Sequence, residues 1–599
     1  MPNLTHVDWL IILLYCGFVL GIGYALRPYM KTSKDFFQAG RALPAWLCGL
    51  AFIGVSLGGP EVIGMGAAGA QFGLHSARFF AIGAVPAMIF AGLFMMPLYY
   101  GSKARTVPDF LRLRFDGKTR TLNACTFLAM TVFSAGIRLY AMARLIQALH
   151  IFDRLFLSAG WPREGIFTFS ILLSAAIVMA YVLLGGLAGA MYNQVLQFFL
   201  LIAGFLPLVL IGLSNIGGWS GLMASLPLSG IGAVHAGSSN LGFGLCLGLV
   251  LGAGYWCTDF RVLQTAMAAN NIESARRAPR IAAVPRLFLP FLLILPGMIA
   301  IGLPTPHSTT TVTTTAAGAI VHETTIVPPQ DAQGNGLVPA QADPRTGKLL
   351  LNAAGQPLLD YGMATPNLIL HFLPTGLLGL GITALLACFM SGIAAGVTAF
   401  IAVFTGDLYK PWIRPDASGQ HFIAVGRWAA VGFILLTIAA AYAASGFSNI
   451  LDALLLAFSI VNAPLFATVL LGMFWKRATG HGAFAGLLAG TAAALLHHGL
   501  TLPQAAQPGL HGGWIAVLHL YPNALAQNFW TAILAFSANL VVAILVSLCT
   551  SATPDVDLVG LVHSLTSRPV RAGIAWWKRS ETLAAAILLI AVALTLFVY

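Results

Sequence analysis

Charge is what this 599-residue chain has little of: only 8% of its residues are Asp, Glu, Lys or Arg, against 58% hydrophobic. Several soluble domains of this total length could not be covered by so little polar surface, which excludes an ordinary water-soluble protein. Cysteine is also sparse and scattered. Cys16, Cys48, Cys125, Cys246, Cys257, Cys388 and Cys549 all lie within apolar runs or at their ends, with no CxxC pair. A disulfide framework and a thiolate zinc site are thereby excluded, and no metal cofactor is expected. The spans contain no HExxH pattern, so a zinc hydrolase site at membrane depth is not indicated.

Apolar runs long enough to cross about 30 Å of hydrocarbon, roughly 20 residues each, recur from end to end. Fourteen are read, at about 7–27, 44–73, 77–100, 120–149, 164–184, 187–213, 240–259, 280–303, 376–407, 421–445, 450–476, 480–499, 526–549 and 582–598. The expectation is an all-α membrane protein of about 14 transmembrane helices. The first run lacks the basic leader and small-residue cleavage site of a signal peptide and is read as a retained helix.

The formal net charge of +12 would point to nucleic acid in a soluble protein. Here the basic residues fall on alternate loops: Arg27, Lys31, Lys34 and Arg41; then Lys103 through Arg120; then Arg276, Arg277 and Arg280; then Lys410 and Arg414; then Lys476 and Arg477; then Arg568, Arg571, Lys578 and Arg579. The positive-inside bias makes these loops cytoplasmic and places both termini outside the cytoplasm, as in a multi-pass protein of a bacterial inner membrane. The charge is topology, and no nucleic-acid partner is expected.

Residues 304–375 form a long outer connection rich in Thr, Pro, Gly and Gln. Within it, Lys348–Leu351 followed by Ala354–Pro357 fits a small hairpin over an outer vestibule, with a mobile surface loop as the competing expectation.

Two runs carry interruptions. The second reads Gly54-Val55-Ser56-Leu57, then Gly58-Gly59-Pro60-Glu61. Proline removes a backbone donor and clashes with the preceding turn, so the helix is expected to open there. The seventh carries Gly242, Gly244, Gly248, Gly252 and Gly254 just before Tyr255-Trp256-Cys257-Thr258-Asp259. Open backbone at membrane depth is tolerated only where it lines a cavity, and paired interruptions five spans apart point to an inverted-repeat transporter.

At this point the chain resembles the solute:sodium symporter family, which contains the sodium/glucose and sodium/proline cotransporters. The resemblance rests on Ser33-Lys34-Asp35-Phe36-Phe37-Gln38-Ala39-Gly40-Arg41, on Ile63-Gly64-Met65 after the break, and on Pro97-Leu98-Tyr99-Tyr100 with Thr106-Val107-Pro108-Asp109-Phe110-Leu111. Tyr255 to Asp259, Leu295-Pro296-Gly297-Met298 and Thr405-Gly406-Asp407-Leu408-Tyr409-Lys410 follow in family order. It implies a LeuT-like core of two inverted five-helix repeats, at 42–215 and 236–476. One extra helix (1–30) precedes this core and three helices (477–599) follow it.

The resemblance also implies a sodium site between the second and ninth spans, formed by the carbonyls of Gly54, Leu57 and Cys388 and the hydroxyl of Ser391. The family's second hydroxyl position is Gly392 here, and a family aspartate on the sixth span is Gln194. Solute-binding candidates are Ser56, Glu61, Arg138, Tyr255, Trp256 and Arg286. The positions aligned with a sugar pocket read Phe80, Gly83, Gly252 and Leu455, a poor set for a sugar.

Glu61 and Arg138 carry their own signal, because ionisable groups inside a span are costly and tend to be functional. Glu61 caps the second half-helix or contacts a ligand, and Arg138 pairs with Glu61 or holds a solute carboxylate. Arg78 and Arg144, nearer span ends, snorkel to the interface.

The expected function is sodium-coupled symport of a small organic solute by alternating access, without catalysis and without an obligatory protein partner. Alternatives are proton-coupled or uncoupled transport using Glu61, and a transporter-like membrane sensor. The sensor is disfavoured because the longest inner stretch, about 550–581, is too short for a signalling domain.

Overall fold

The computed structural model describes residues 4–149, 152, 156, 163–225, 241–303, 307–314, 320–327, 337–340, 357–444, 450–504, 506–566 and 580–597. Among its helices are α1 His6–Leu26, α2 Ala45–Ser56, α3 Gly59–Phe72, α4 Val85–Gly101, α5 Gly117–Ala148, α6 Arg163–Asn215, α7 Leu241–Thr258, α8 Phe260–Met267 and α9 Ile272–Gly302. They continue with α10 Leu377–Val403, α11 Gly419–Ala444, α12 Ile450–Phe474, α13 Gly480–Leu500, α14 Ala524–Cys549 and α15 Ser580–Phe597.

Helix starts follow side-chain chemistry. Thr5, Thr106, Asp116, Asn271, Thr479 and Asn523 each accept a first-turn N–H that the helix itself cannot satisfy. Asp8 does the same across helices: from the first turn of α1 its Oδ1 accepts from the N–H groups of Gly376 and Gly379, each at 2.8 Å, at the start of α10.

Among the described residues nine helices are long and apolar enough to span a membrane, and the bent pair α2–α3 makes a tenth. Fourteen separate spans are therefore not resolved as such. The clearest reason is α6, whose 53 residues would run about 80 Å if straight. It contains two expected runs, divided at Gly186, whose φ of 53° is left-handed and ends regular helix there. The run expected at 77–100 is likewise divided, into a helix at His75–Ile82 and α4, which itself contains a π-turn at Ala91–Met95.

The second span is broken as expected, with a 63° bend between Ala45–Ser56 and Gly59–Phe72. The seventh differs. Its glycines lie within one continuous helix, and the break comes after them, at Asp259. The physical reason is packing: a Cβ on Gly252 would collide with the Gly83 carbonyl, so this glycine permits close approach and opens nothing.

The segments Lys348–Leu351 and Ala354–Gln356 lie outside the described residues. Elsewhere in the same connection β1 (His307–Thr314) pairs antiparallel with β2 (Ile320–Val327), Thr311 opposite Glu323. In the core, α2 packs against α6, α8 and α9, α3 against α9 and α10, and α5 against α11 and α10. The two halves of the broken span thus pack on α6, α8, α9 and α10.

Candidate functional site

The first break is built from α2's last turn. The N–H of Leu57 reaches the Gly54 carbonyl at 3.2 Å, and Gly58 then turns extended (φ −68°, ψ 160°) to start α3. Pro60 sits in the first turn of α3, where a missing N–H costs no intrahelical bond. Ser391, buried on α10, donates its hydroxyl to the Gly54 carbonyl at 3.1 Å. Leu57 lies three residues after Gly54 and Cys388 three before Ser391, so the four candidate residues belong to the end of α2 and to α10. Gln194 packs its backbone carbonyl against Gly54, and both atoms of its buried side-chain amide lack partners.

Just past the break, Glu61 meets Arg138 from α5 in a bidentate ion pair, Nη2 to Oε1 at 2.5 Å and Nη1 to Oε2 at 3.1 Å. Arg138 is 2% exposed and Glu61 15%, so the carboxylate is the more accessible half of the pair. Two glycines make this pair possible. A Cβ on Gly58 would lie 2.5 Å from Glu61 Oε2 and 3.2 Å from Arg138 Cζ, and one on Gly392 would lie 3.0 Å from Arg138 Cδ and 3.1 Å from Cζ. The hydroxyl absent at Gly392 therefore has a replacement: the Arg138 guanidinium fills that space.

The second break is organised by charges that the sequence reading passed over. Asp259 caps α8, accepts from Asn462 Nδ2 at 3.1 Å and forms a bidentate ion pair with Arg261. Arg261 also donates to the Ser134 hydroxyl at 2.6 Å and lies over the Phe458 ring. Gln264 continues the connection, its Nε2 donating to Thr398 Oγ1 and the Ala395 carbonyl at 3.1 Å each. The available signal was an Asp and an Arg two residues apart in an otherwise apolar stretch.

Between the breaks lies an aromatic stack. Tyr255 lies against Phe458 (ring centroids 5.1 Å apart), and Trp256 stacks on Phe52 at 5.8 Å. The Arg286 guanidinium sits over Trp256 at 5.5 Å from its centroid. Ser56 is buried and donates its hydroxyl to Ile53 of its own helix at 2.7 Å, so it presents only acceptor capacity to a ligand. Gly54-Val55-Ser56-Leu57-Gly58 has the GxSxG spacing of serine hydrolases. That chemistry needs a strand-to-helix turn, however, and Ser56 lies inside a helix.

On the basic-loop face a cavity of about 760 Å³ opens, lined in part by Lys34, Arg41, Lys103, Arg105 and Lys410 and by no carboxylate. Arg41, donating to the Ala104 carbonyl at 2.6 Å, is held below its ordinary value by partial burial.

The chain matches the model of the Sodium:solute symporter family over residues 36–490. It is 25% identical over 514 residues to a sodium/glucose cotransporter of Vibrio parahaemolyticus, spanning 82% of this chain and 85% of that protein. It is 26% identical to sodium/myo-inositol cotransporter 2 of Oryctolagus cuniculus, over 82% of this chain and 69% of that one. A solved Na+-coupled sialic acid symporter in a substrate-bound outward-open state superposes with a TM-score of 0.66 at 16% identity. The match covers 92% of this chain and all of that one.

The broken second span, the superposition and the family match together define a secondary transporter with a LeuT-like fold. The chain belongs to the sodium:solute symporter family.

Proposed function

We propose that this protein carries a small organic solute across a bacterial inner membrane by alternating access, coupled to sodium held by the carbonyls of Gly54, Leu57 and Cys388 and the hydroxyl of Ser391. The observation that supports this reading is the 3.1 Å contact between Ser391 and the Gly54 carbonyl beside the 63° break. A hard cation needs several oxygens, and an opened helix end offers free carbonyls and the negative end of its dipole. Solute binds on the other side of the break, among Glu61, Arg138, Tyr255, Trp256 and Arg286, with Ser56 as a further wall. The repeats run over 42–215 and 236–476, and the alternation of basic loops puts both termini outside the cytoplasm. Sodium binding stabilises the outward-open form and so favours solute entry.

The test is uptake of radiolabelled sugars, amino acids and carboxylates into proteoliposomes under an inward sodium gradient. Uptake that is identical with and without sodium would sink the coupling.

A second reading is supported by the placement of Arg138 against Gly392. There the fixed guanidinium stands beside the ion site as a permanent cation, and protonation of Glu61 becomes the event that releases it. This version predicts uptake driven by a pH gradient, independent of sodium and abolished in Glu61→Gln.

A further inference from the structure

Among the described residues the buried arginines other than Arg286 have acceptors, Arg280 in the Arg276 carbonyl and Glu273. Arg114, 1% exposed, donates to the main-chain carbonyls of Gly472, Ala478 and Trp475 at 2.7, 3.1 and 3.1 Å. Arg138 has Glu61, and Arg261 has Asp259 and Ser134. Arg286 is the exception. It is 6% exposed, midway along α9, and its Nε and Nη1 are buried without a hydrogen-bond partner. Among the described residues no carboxylate lies within ion-pair distance of it. Its one contact of note is the Trp256 ring face, which favours a cation but offers no lone pair to its N–H groups.

The charge count around the two breaks is uneven as a result. Among the described residues there, three guanidiniums, those of Arg138, Arg261 and Arg286, are accompanied by two paired carboxylates, Glu61 and Asp259. An uncompensated buried cation with unmet donors is strongly unfavourable, the more so at membrane depth. The protein carries that charge against the Trp256 ring, beside the aromatic stack between the two breaks. A group that supplies one negative charge and two in-plane acceptors would satisfy it, and a carboxylate does both. A phosphate dianion would overshoot the single excess charge.

We propose that Arg286 is an anion subsite and that the transported solute bears a single carboxylate, received at the guanidinium edge beside Trp256. This rests on the transport reading for the location of the solute, and it adds the solute's chemical class. Arg138, already neutralised by Glu61, positions that carboxylate without being its main partner.

The test uses the purified full-length protein in detergent and reads thermal unfolding, because a ligand that binds the folded state raises its apparent stability. The probes are matched pairs differing in the carboxylate: lactate against propane-1,2-diol, gluconate against sorbitol, and benzoate against benzyl alcohol. The expected result is that at least one carboxylate raises the unfolding temperature, its neutral mate does not, and Arg286→Gln abolishes the response. If Arg286→Gln gives no cooperative transition, Arg286→Lys replaces it, with the response expected to weaken several-fold. A second measurement needs no ligand: Arg286→Met removes the uncompensated charge at similar volume and should raise the unfolding temperature of the free protein.

The proposal is overturned if no carboxylate stabilises, if the neutral mates stabilise equally, if Arg286→Gln keeps the response, or if Arg286→Met lowers the unfolding temperature. Binding is read without a gradient, so loss of sodium coupling leaves these outcomes unchanged. Conversely, sodium-driven uptake of a neutral solute alone would sink this inference and leave the transport reading standing.

Discussion

The guanidinium of Arg138 occupies the space in which a side chain at Gly392 would begin, with Cδ and Cζ 3.0 and 3.1 Å from the position of that Cβ. This relationship links the fourth span to the ninth at the level of the first helix break. Gly392→Ala must push Arg138 off Glu61, and overpacking of a tight core costs about 1–3 kcal/mol. The expected outcome is a lower unfolding temperature together with loss of solute uptake. An unchanged unfolding temperature would mean the guanidinium has room to spare.

The Glu61–Arg138 pair is buried on the arginine side, so removing one partner strands a charge. Arg138→Gln or Glu61→Gln alone should destabilise by about 3–5 kcal/mol, less for Arg138→Gln because Glu61 retains some solvent. The double variant should recover much of the loss, and a double-mutant cycle measures the coupling. Additive single effects would show that the pair contributes no mutual stabilisation.

Much of this site was legible in the sequence, and what was missed has a common cause. Gly58-Gly59-Pro60 announces its break locally, because proline and glycine act on their own backbone. Glu61 and Arg138 announce each other, because two opposite charges in apolar spans have few other partners. The seventh span misled because glycine in a membrane helix reads the same whether it opens the helix or admits a neighbour, and Gly252 admits Gly83. Gly392 read as a lost ligand for a related reason: the side chain that replaces it comes from residue 138, and nothing near Gly392 in the chain records that approach. Asp259 was legible as part of a motif and as a local neighbour of Arg261, whereas its contact with Asn462 appears only once α8 and α12 are assembled.

That assembly is itself testable. Asp259→Asn keeps a capping oxygen for α8 but removes the charge facing Arg261. The expected outcome is a large fall in unfolding temperature, which Arg261→Gln in the same chain partly restores. If Asp259→Asn behaves as wild type, the second break does not depend on the ion pair.

Asp360, in the outer connection, accepts the Gly362 N–H at 3.1 Å, and burial raises its carboxyl above the ordinary 3.8 despite Arg144 and that hydrogen bond. A raised folded-state value favours the neutral form. The group's contribution is therefore full below the unfolded carboxylate range and is lost as pH rises through the folded-state value. Asp360→Asn, which keeps the cap, should raise the unfolding temperature at about pH 7 and leave it unchanged near pH 4, both conditions read with reference to the same linkage. An effect of equal size at both pH values would contradict the assignment.

Direct binding of radioactive sodium to the purified protein, in choline-substituted buffer, tests, without knowledge of the solute, whether the Gly54–Ser391 site holds sodium. The expected result is saturable binding to wild type, weakened many-fold in Ser391→Ala and retained in Arg286→Gln. Absence of saturable sodium binding to the folded wild-type protein would contradict it and leave Arg138 as the cation beside the break.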